Sequence, residues 1–267
     1  MACAGSTRPE RGGRFMRLFG CVCGQFHSTA AGMGMKGGDR RIAAPVPFYV
    51  IEHADGVALF DCGLHTDLAD AEDPYRQVLQ SQGEDVTFAA DETVTAHLER
   101  LDIDPARVRY VVLSHLHFDH SGGLHQIPNA TLVVQRREWE AGFDRDIAAR
   151  YFLRRRYFDL GHEVQLVDGE HDLFGDGSAV CIPSFGHTPG HQSLRVRNAQ
   201  GDHILVADAC YNGEVVETRA FPSFAKAEAM NASLDRLLAM REPDTTLIFG
   251  HDPDQWGEAA LLPSARA

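Results

Sequence analysis

The stretch Tyr110-Val111-Val112-Leu113-Ser114-His115-Leu116-His117-Phe118-Asp119-His120 decides the reading of this chain. An apolar run with the composition of a strand ends in four potential metal ligands, His115, His117, Asp119 and His120. On an extended segment His115 and His117 point the same way, whereas Asp119 and His120 lie beyond it, where the chain must turn. That geometry suits two neighbouring metals better than one. Surface histidines beside a solvated aspartate are the plain alternative, and the rest of the chain argues against it. The apolar run 204–207 ends at Asp208, the run 246–250 ends at His251, the run 179–182 leads through a short turn to His187, and the run 57–60 ends at Asp61. Each brings a nitrogen or oxygen ligand to the C-terminal edge of a strand.

With 267 residues and 44% hydrophobic content, the chain can bury a full core as one large domain, expected over residues 16–267. Residues 1–15 are rich in Gly, Arg and Ser without periodicity and read as a disordered extension, with Met1 and Met16 both available as starts. A net charge of −13 repels a phosphate backbone and argues against nucleic acid as a partner. The basic cluster Arg150, Arg154, Arg155 and Arg156 reads as a solvated helix face. No apolar stretch approaches the roughly 18 residues of a membrane span, and the N-terminus lacks the apolar core of a secretory signal, so a cytoplasmic protein is expected. Six cysteines in a chain of this length read as free thiols.

Strands are expected at 46–53, 57–61, 109–113, 131–135, 163–167, 179–183, 193–197, 203–207 and 245–249, with a first strand opening at Met16. Helical patterns fall at 92–101, 136–142, 145–158 and 224–240. Ligands gathered at strand ends imply sheets covered by helices, with a site in one groove at their edge. The glycine-rich segment 28–41 is expected to be a mobile loop.

Taken together, His-x-His-x-Asp-His at 115–120, Gly186-His187-Thr188-Pro189-Gly190-His191, Asp208-Ala209-Cys210-Tyr211 and Gly250-His251-Asp252 resemble the metallo-β-lactamase superfamily of dinuclear hydrolases. Within it the details look like the N-acyl homoserine lactonases, the quorum-quenching enzymes, and the match runs in order from about Val46 to Trp256. The resemblance implies an αββα sandwich, two mixed β-sheets flanked by helices. It implies a first metal on His115, His117 and His187, a second on Asp119, His120 and His251, and Asp208 bridging both. Imidazole and carboxylate donors without thiolate suit Zn²⁺. His191 falls to a supporting or packing role, and Asp61 is a candidate to orient a ligand imidazole, with a turn-stabilising aspartate as its alternative. In the family's ring-opening reaction Tyr211 would polarise the lactone carbonyl and Asp119 would carry the proton to the leaving alkoxide. Phe118, Met33 and Met35 are candidate substrate contacts.

The expected partner is a small acyl lactone. The oligomeric state is left open, with a homodimer among the options. A catabolic γ-butyrolactone hydrolase and a glyoxalase II-like thioesterase are the alternatives. The thioesterase normally adds a helical region after the last histidine, where this chain runs only from Asp252 to Ala267.

Overall fold

The computed structural model describes residues 16–256 and Leu262. The expected N-terminal extension and the choice of start lie outside the described residues, apart from Met16 itself. In chain order the strands are β1 (Met16–Thr29), β2 (Arg41–His53), β3 (Gly56–Phe60), β4 (Asp85–Thr87), β5 (Val108–Val112), β6 (Thr131–Gln135), β7 (Val164–Val167), β8 (His171–Asp172), β9 (Ala179–Pro183), β10 (Gln192–Asn198), β11 (Gly201–Ala207) and β12 (Thr245–Phe249). The helices are α1 (Pro74–Ser81), α2 (Val94–Arg100), α3 (Phe118–Ser121), α4 (Arg136–Phe143), α5 (Arg145–Arg150), α6 (Arg155–Phe158), α7 (Gly213–Thr218) and α8 (Ala227–Ala239).

One sheet has the order β4-β1-β2-β3-β5-β6-β7, the other β12-β11-β10-β9-β8. The period-2 alternation of the strands explains how they pack. In β2, Phe48 and Val50 join the cluster that includes Leu79, Leu98 and Phe158, while Tyr49 and Ile51 join the layer shared with Cys181, Leu194 and Leu205 of the second sheet. In β11, Ile204 and Val206 face Leu234 and Leu237 of α8, and Leu205 faces the inter-sheet layer. Each large apolar side chain so buried is worth roughly 1.5–3 kcal/mol, and a one-residue slip would turn all of them outward, so the register is fixed. The result is the expected αββα sandwich.

Strand direction gathers the site. β3, β5, β6 and β7 run parallel. β9 and β11 are both antiparallel to β10, and β12 is parallel to β11, so those three also end on one edge.

Several expectations change. The pattern at 145–158 is two helices, because buried Tyr151 and Leu153 draw the chain inward and Phe152 takes a left-handed φ of 59°. All four arginines there are exposed, as expected of solvated positions, but the break divides them and each lies over a ring, Arg150, Arg154, Arg155 and Arg156 over Tyr151, Tyr75, Phe143 and Tyr157. Segment 28–41 is a closed turn rather than an open loop. β1 continues to Thr29, and the turn is closed by Ala30 N–H to the Arg40 carbonyl (2.8 Å) and Met33 N–H to the Thr29 carbonyl (3.0 Å). The short strands β4 and β8 and the helices α1 and α7 were not expected, although Asp73 before Pro74 and Asn212 before Gly213 are N-cap signals. Among the described residues no helix is long and apolar enough to cross a membrane.

Arg195 of β10 donates to both oxygens of Asp202 on β11, and Thr245 of β12 donates to the same carboxylate (2.6 Å). Burial would raise the Asp202 carboxyl, but the Arg195 and Thr245 hydrogen bonds hold it below the usual carboxylate range. A depressed carboxylate contributes stability that is complete above its unfolded value and is lost as pH falls through the folded one. Asp202→Asn should therefore cost about 3 kcal/mol at pH 7, the low end for breaking a buried pair because Glu242 still faces Arg195. The gap from wild type should shrink below about pH 4, as read by urea denaturation at both pH values.

Candidate metal centre

His115 and His117 leave the end of β5, with His117 at the start of α3, and Asp119 and His120 lie in that helix. His187 follows β9, Asp208 follows β11 and His251 follows β12. Ala207 reaches a left-handed φ of 48° to turn Asp208 out of its strand. Gly250 makes room for it: a Cβ there would lie 2.7 Å from Asp208 Oδ1.

Two groups of donor atoms result. His115, His117, His187 and Asp208 form one, and Asp119, His120 and His251 form the other, each with its donor atoms within 4.8 Å of one another. Asp208 faces both. Its Oδ2 is 3.7 Å from His115 Nε2 and 3.2 Å from His187 Nε2, and its Oδ1 is 3.4 Å from His120 Nε2 and 3.1 Å from His251 Nε2. Asp119 stands farther off, with Oδ2 3.8 Å from His120 Nε2 and 3.7 Å from His251 Nε2.

Hydrogen bonds on the far side of four of the five rings orient them; the exception is His187, whose Nδ1 is buried without a hydrogen-bond partner. His117 Nε2–H donates to the Tyr151 carbonyl (2.7 Å), which the break between α5 and α6 brings into place. His251 Nδ1–H donates to the Pro45 carbonyl (2.8 Å), and His120 Nδ1–H donates to Asp61 Oδ2 (2.8 Å). Asp61, itself at a left-handed φ of 60°, also accepts from the Ser114 backbone and hydroxyl, and that hydroxyl accepts from His115 Nδ1–H (2.9 Å). Asp61 thus touches His120 directly and reaches His115 through the Ser114 hydroxyl.

His191 is excluded from ligation by its partners. Its Nε2 accepts the Asp208 backbone N–H (3.1 Å) and its Nδ1 donates to Ser184 Oγ (2.9 Å), so no lone pair is free.

The donor set fits a cation. Burial pushes the His115 imidazole well below its usual value and His117 down to about 3, so both are neutral. With their protons on the outer nitrogens, the lone pairs of His115 Nε2 and His117 Nδ1 face each other across 2.9 Å, which is repulsive unless positive charge lies between them. His120 Nε2 and Asp208 Oδ1 are buried without a hydrogen-bond partner. Burial opposes charge on His120, yet Asp208, Asp119 and Asp61 hold its value well above normal, so that a proton takes the place of a metal. The arrangement calls for divalent metal ions.

A cavity of about 240 Å³ opens over these groups. Its wall includes Phe26, Met33, Tyr75, Phe118, Tyr211 and Phe224, with the polar side chains of Gln82 and Glu84. Met33 and Phe118 are on this wall. Met35 is not: its N–H closes the turn onto the Ala30 carbonyl, and the side chain lines a separate cleft with Asn212 and Glu214. Tyr211 sits between the groups, its ring centroid 5.7 Å from that of His187 and 5.5 Å from that of His251. Burial first, then Asp208 and Asp119, push its phenol well above the usual value, so it keeps its proton. Sequence reasoning missed Ser114, Tyr75, Phe224 and Glu138. Nothing in their spacing marks them, because each acquires its neighbours only when distant segments meet.

The family profile of the metallo-beta-lactamase superfamily matches residues 42–251. The chain is 34% identical over 258 residues to the N-acyl homoserine lactonase AttM of Azorhizobium caulinodans, covering 91% of this chain and 94% of that protein. It is 33% identical over 265 residues to AttM of Rhizobium radiobacter, covering 93% and 96%. A solved N-acyl homoserine lactone hydrolase, with the product N-hexanoyl-L-homoserine bound at its catalytic metal centre, superposes with a TM-score of 0.76 at 23% identity, covering 90% and 94%, a likeness of fold. The chain belongs to the metallo-beta-lactamase superfamily, in its N-acyl homoserine lactonase family.

Proposed function

We propose that this protein is a metal-dependent lactonase that opens the ring of N-acyl homoserine lactones. The observation that carries the reading is Asp208, whose two oxygens face separate histidine groups. His115, His117 and His187 would hold one ion and Asp119, His120 and His251 the other, with Asp208 shared. Nitrogen and oxygen donors without thiolate favour Zn²⁺. Two such ions supply a water acidified to near neutrality and Lewis-acid polarisation of a carbonyl.

The chain's own residues do the rest. Tyr211, protonated at neutral pH, donates to the lactone carbonyl oxygen as negative charge grows there. Asp119, less closely approached than Asp208, accepts the proton of the attacking water and returns it to the ring oxygen as the C–O bond breaks. Phe118, with Phe26 at 6.3 Å and Tyr75 at 5.2 Å between ring centroids, offers an apolar seat for the acyl chain. The cavity of about 240 Å³ falls below the roughly 300–1,000 Å³ of drug-sized pockets. That size favours a small acyl lactone over a polymer.

The test is proton release in weak buffer from N-hexanoyl homoserine lactone, with γ-butyrolactone and a thioester alongside and a chelator-stripped control. Fast release confined to the metal-loaded protein and greatest with the acylated lactone is expected. Turnover of the thioester alone would refute the lactonase assignment. Asp208→Asn should lose metal and activity together, by more than the roughly 10–100-fold typical of an outer partner, as followed by metal analysis and rate. Tyr211→Phe should keep both metals and lower kcat/KM by about 10²-fold, the effect of one lost oxyanion donor; an unchanged rate would remove Tyr211 from the chemistry.

A further inference from the structure

Glu138 lies in the first turn of α4, is fully buried, and belongs to neither donor group. A carboxylate in that position needs partners, and its partners are informative. Oε1 accepts the Leu116 N–H (3.1 Å) and Oε2 accepts the Gly190 N–H (2.8 Å). Leu116 stands between His115 and His117 at the end of the large sheet. Gly190 lies in the turn that carries His187 at the end of the small sheet. The contact is close: a Cβ on Gly190 would lie 2.2 Å from the Glu138 backbone nitrogen, so only glycine admits the approach. One carboxylate therefore joins the two loops from which three imidazoles converge.

We propose that Glu138 is a positioning residue, a bracket that sets the spacing between the His115/His117 pair and His187 and thereby the affinity and ligand field of the first metal. This rests on the ligand assignment proposed above. A neighbouring tie, Gln192 N–H to the Ser114 carbonyl (2.8 Å), joins the same loops below the imidazoles, so loss of the bracket loosens the ligands without parting the sheets. Two N–H donors need two acceptor oxygens. Glutamine has the right volume but supplies one acceptor, and it sets its amide NH₂ against the other N–H.

The test compares wild type with Glu138→Gln by chelator competition for Zn²⁺, by the absorption spectrum of the Co²⁺-loaded protein, and by the Tm of the metal-free form. The expected result is one equivalent of metal weakened by roughly 10–100-fold, the scale for an outer-shell partner, with the other near wild type and a shifted Co²⁺ band. Unchanged affinity and spectrum with only a lower Tm would make Glu138 a packing residue and overturn the bracket alone. A wild type that binds neither metal would overturn the ligand assignment beneath it. Should Glu138→Gln not fold, hydrogen exchange on wild type decides: protected Leu116 and Gly190 amides in the metal-free protein support the bracket, and free-peptide exchange rates overturn it.

Discussion

The site depends on a buried carboxylate that has imidazoles, and no described lysine or arginine, around it. Asp208 is 3% exposed, and among the described residues lining the cavity there is no lysine or arginine. Burial would raise its carboxyl, yet His120, His251 and His187 hold it well below the usual range. A buried carboxylate is costly unless positive charge faces it, and cations in the space between carboxylate and imidazoles would meet that need. The groups around it follow from that requirement. Asp61, Ser114, the Tyr151 carbonyl and the Pro45 carbonyl take the outer N–H of four imidazoles and turn the inner nitrogens toward the centre.

The sandwich serves this centre by direction rather than by shape. Parallel strands in one sheet and the β9, β11, β12 set in the other all terminate at one edge, so residues far apart in sequence arrive there together. The turns that aim them carry left-handed φ at Asp61 and Ala207, conformations uncommon for residues with a Cβ. Strain at these two strand ends is held by the packed layers behind them.

Much of this was legible in the sequence because strand ends with ligands are a local pattern. The runs before His115, Asp208 and His251 show both the strand and the donor in one short window. What could not be read was whatever depends on two distant segments meeting. Glu138 looks like an ordinary acidic residue in a helix's first turn, and only its burial against Leu116 and Gly190 separates it from Glu140. The helical pattern at 145–158 hid a break because its arginines mask the inward turn of Tyr151. Met33 and Met35 look equivalent in sequence, and the turn that both their N–H groups help close sends their side chains to two different cavities. His187 and His191 were separable by nearness to the strand end and by family position, and the contact of His191 Nε2 with the Asp208 backbone N–H adds a physical reason.

The most direct test of the account is anomalous diffraction at the zinc edge from crystals of the Zn²⁺-loaded protein. The account predicts two peaks, one bonded to His115, His117 and His187 and the other to His120, His251 and Asp119, with a different oxygen of Asp208 on each. A single peak, or two peaks that both leave Asp208 unbound, would contradict it.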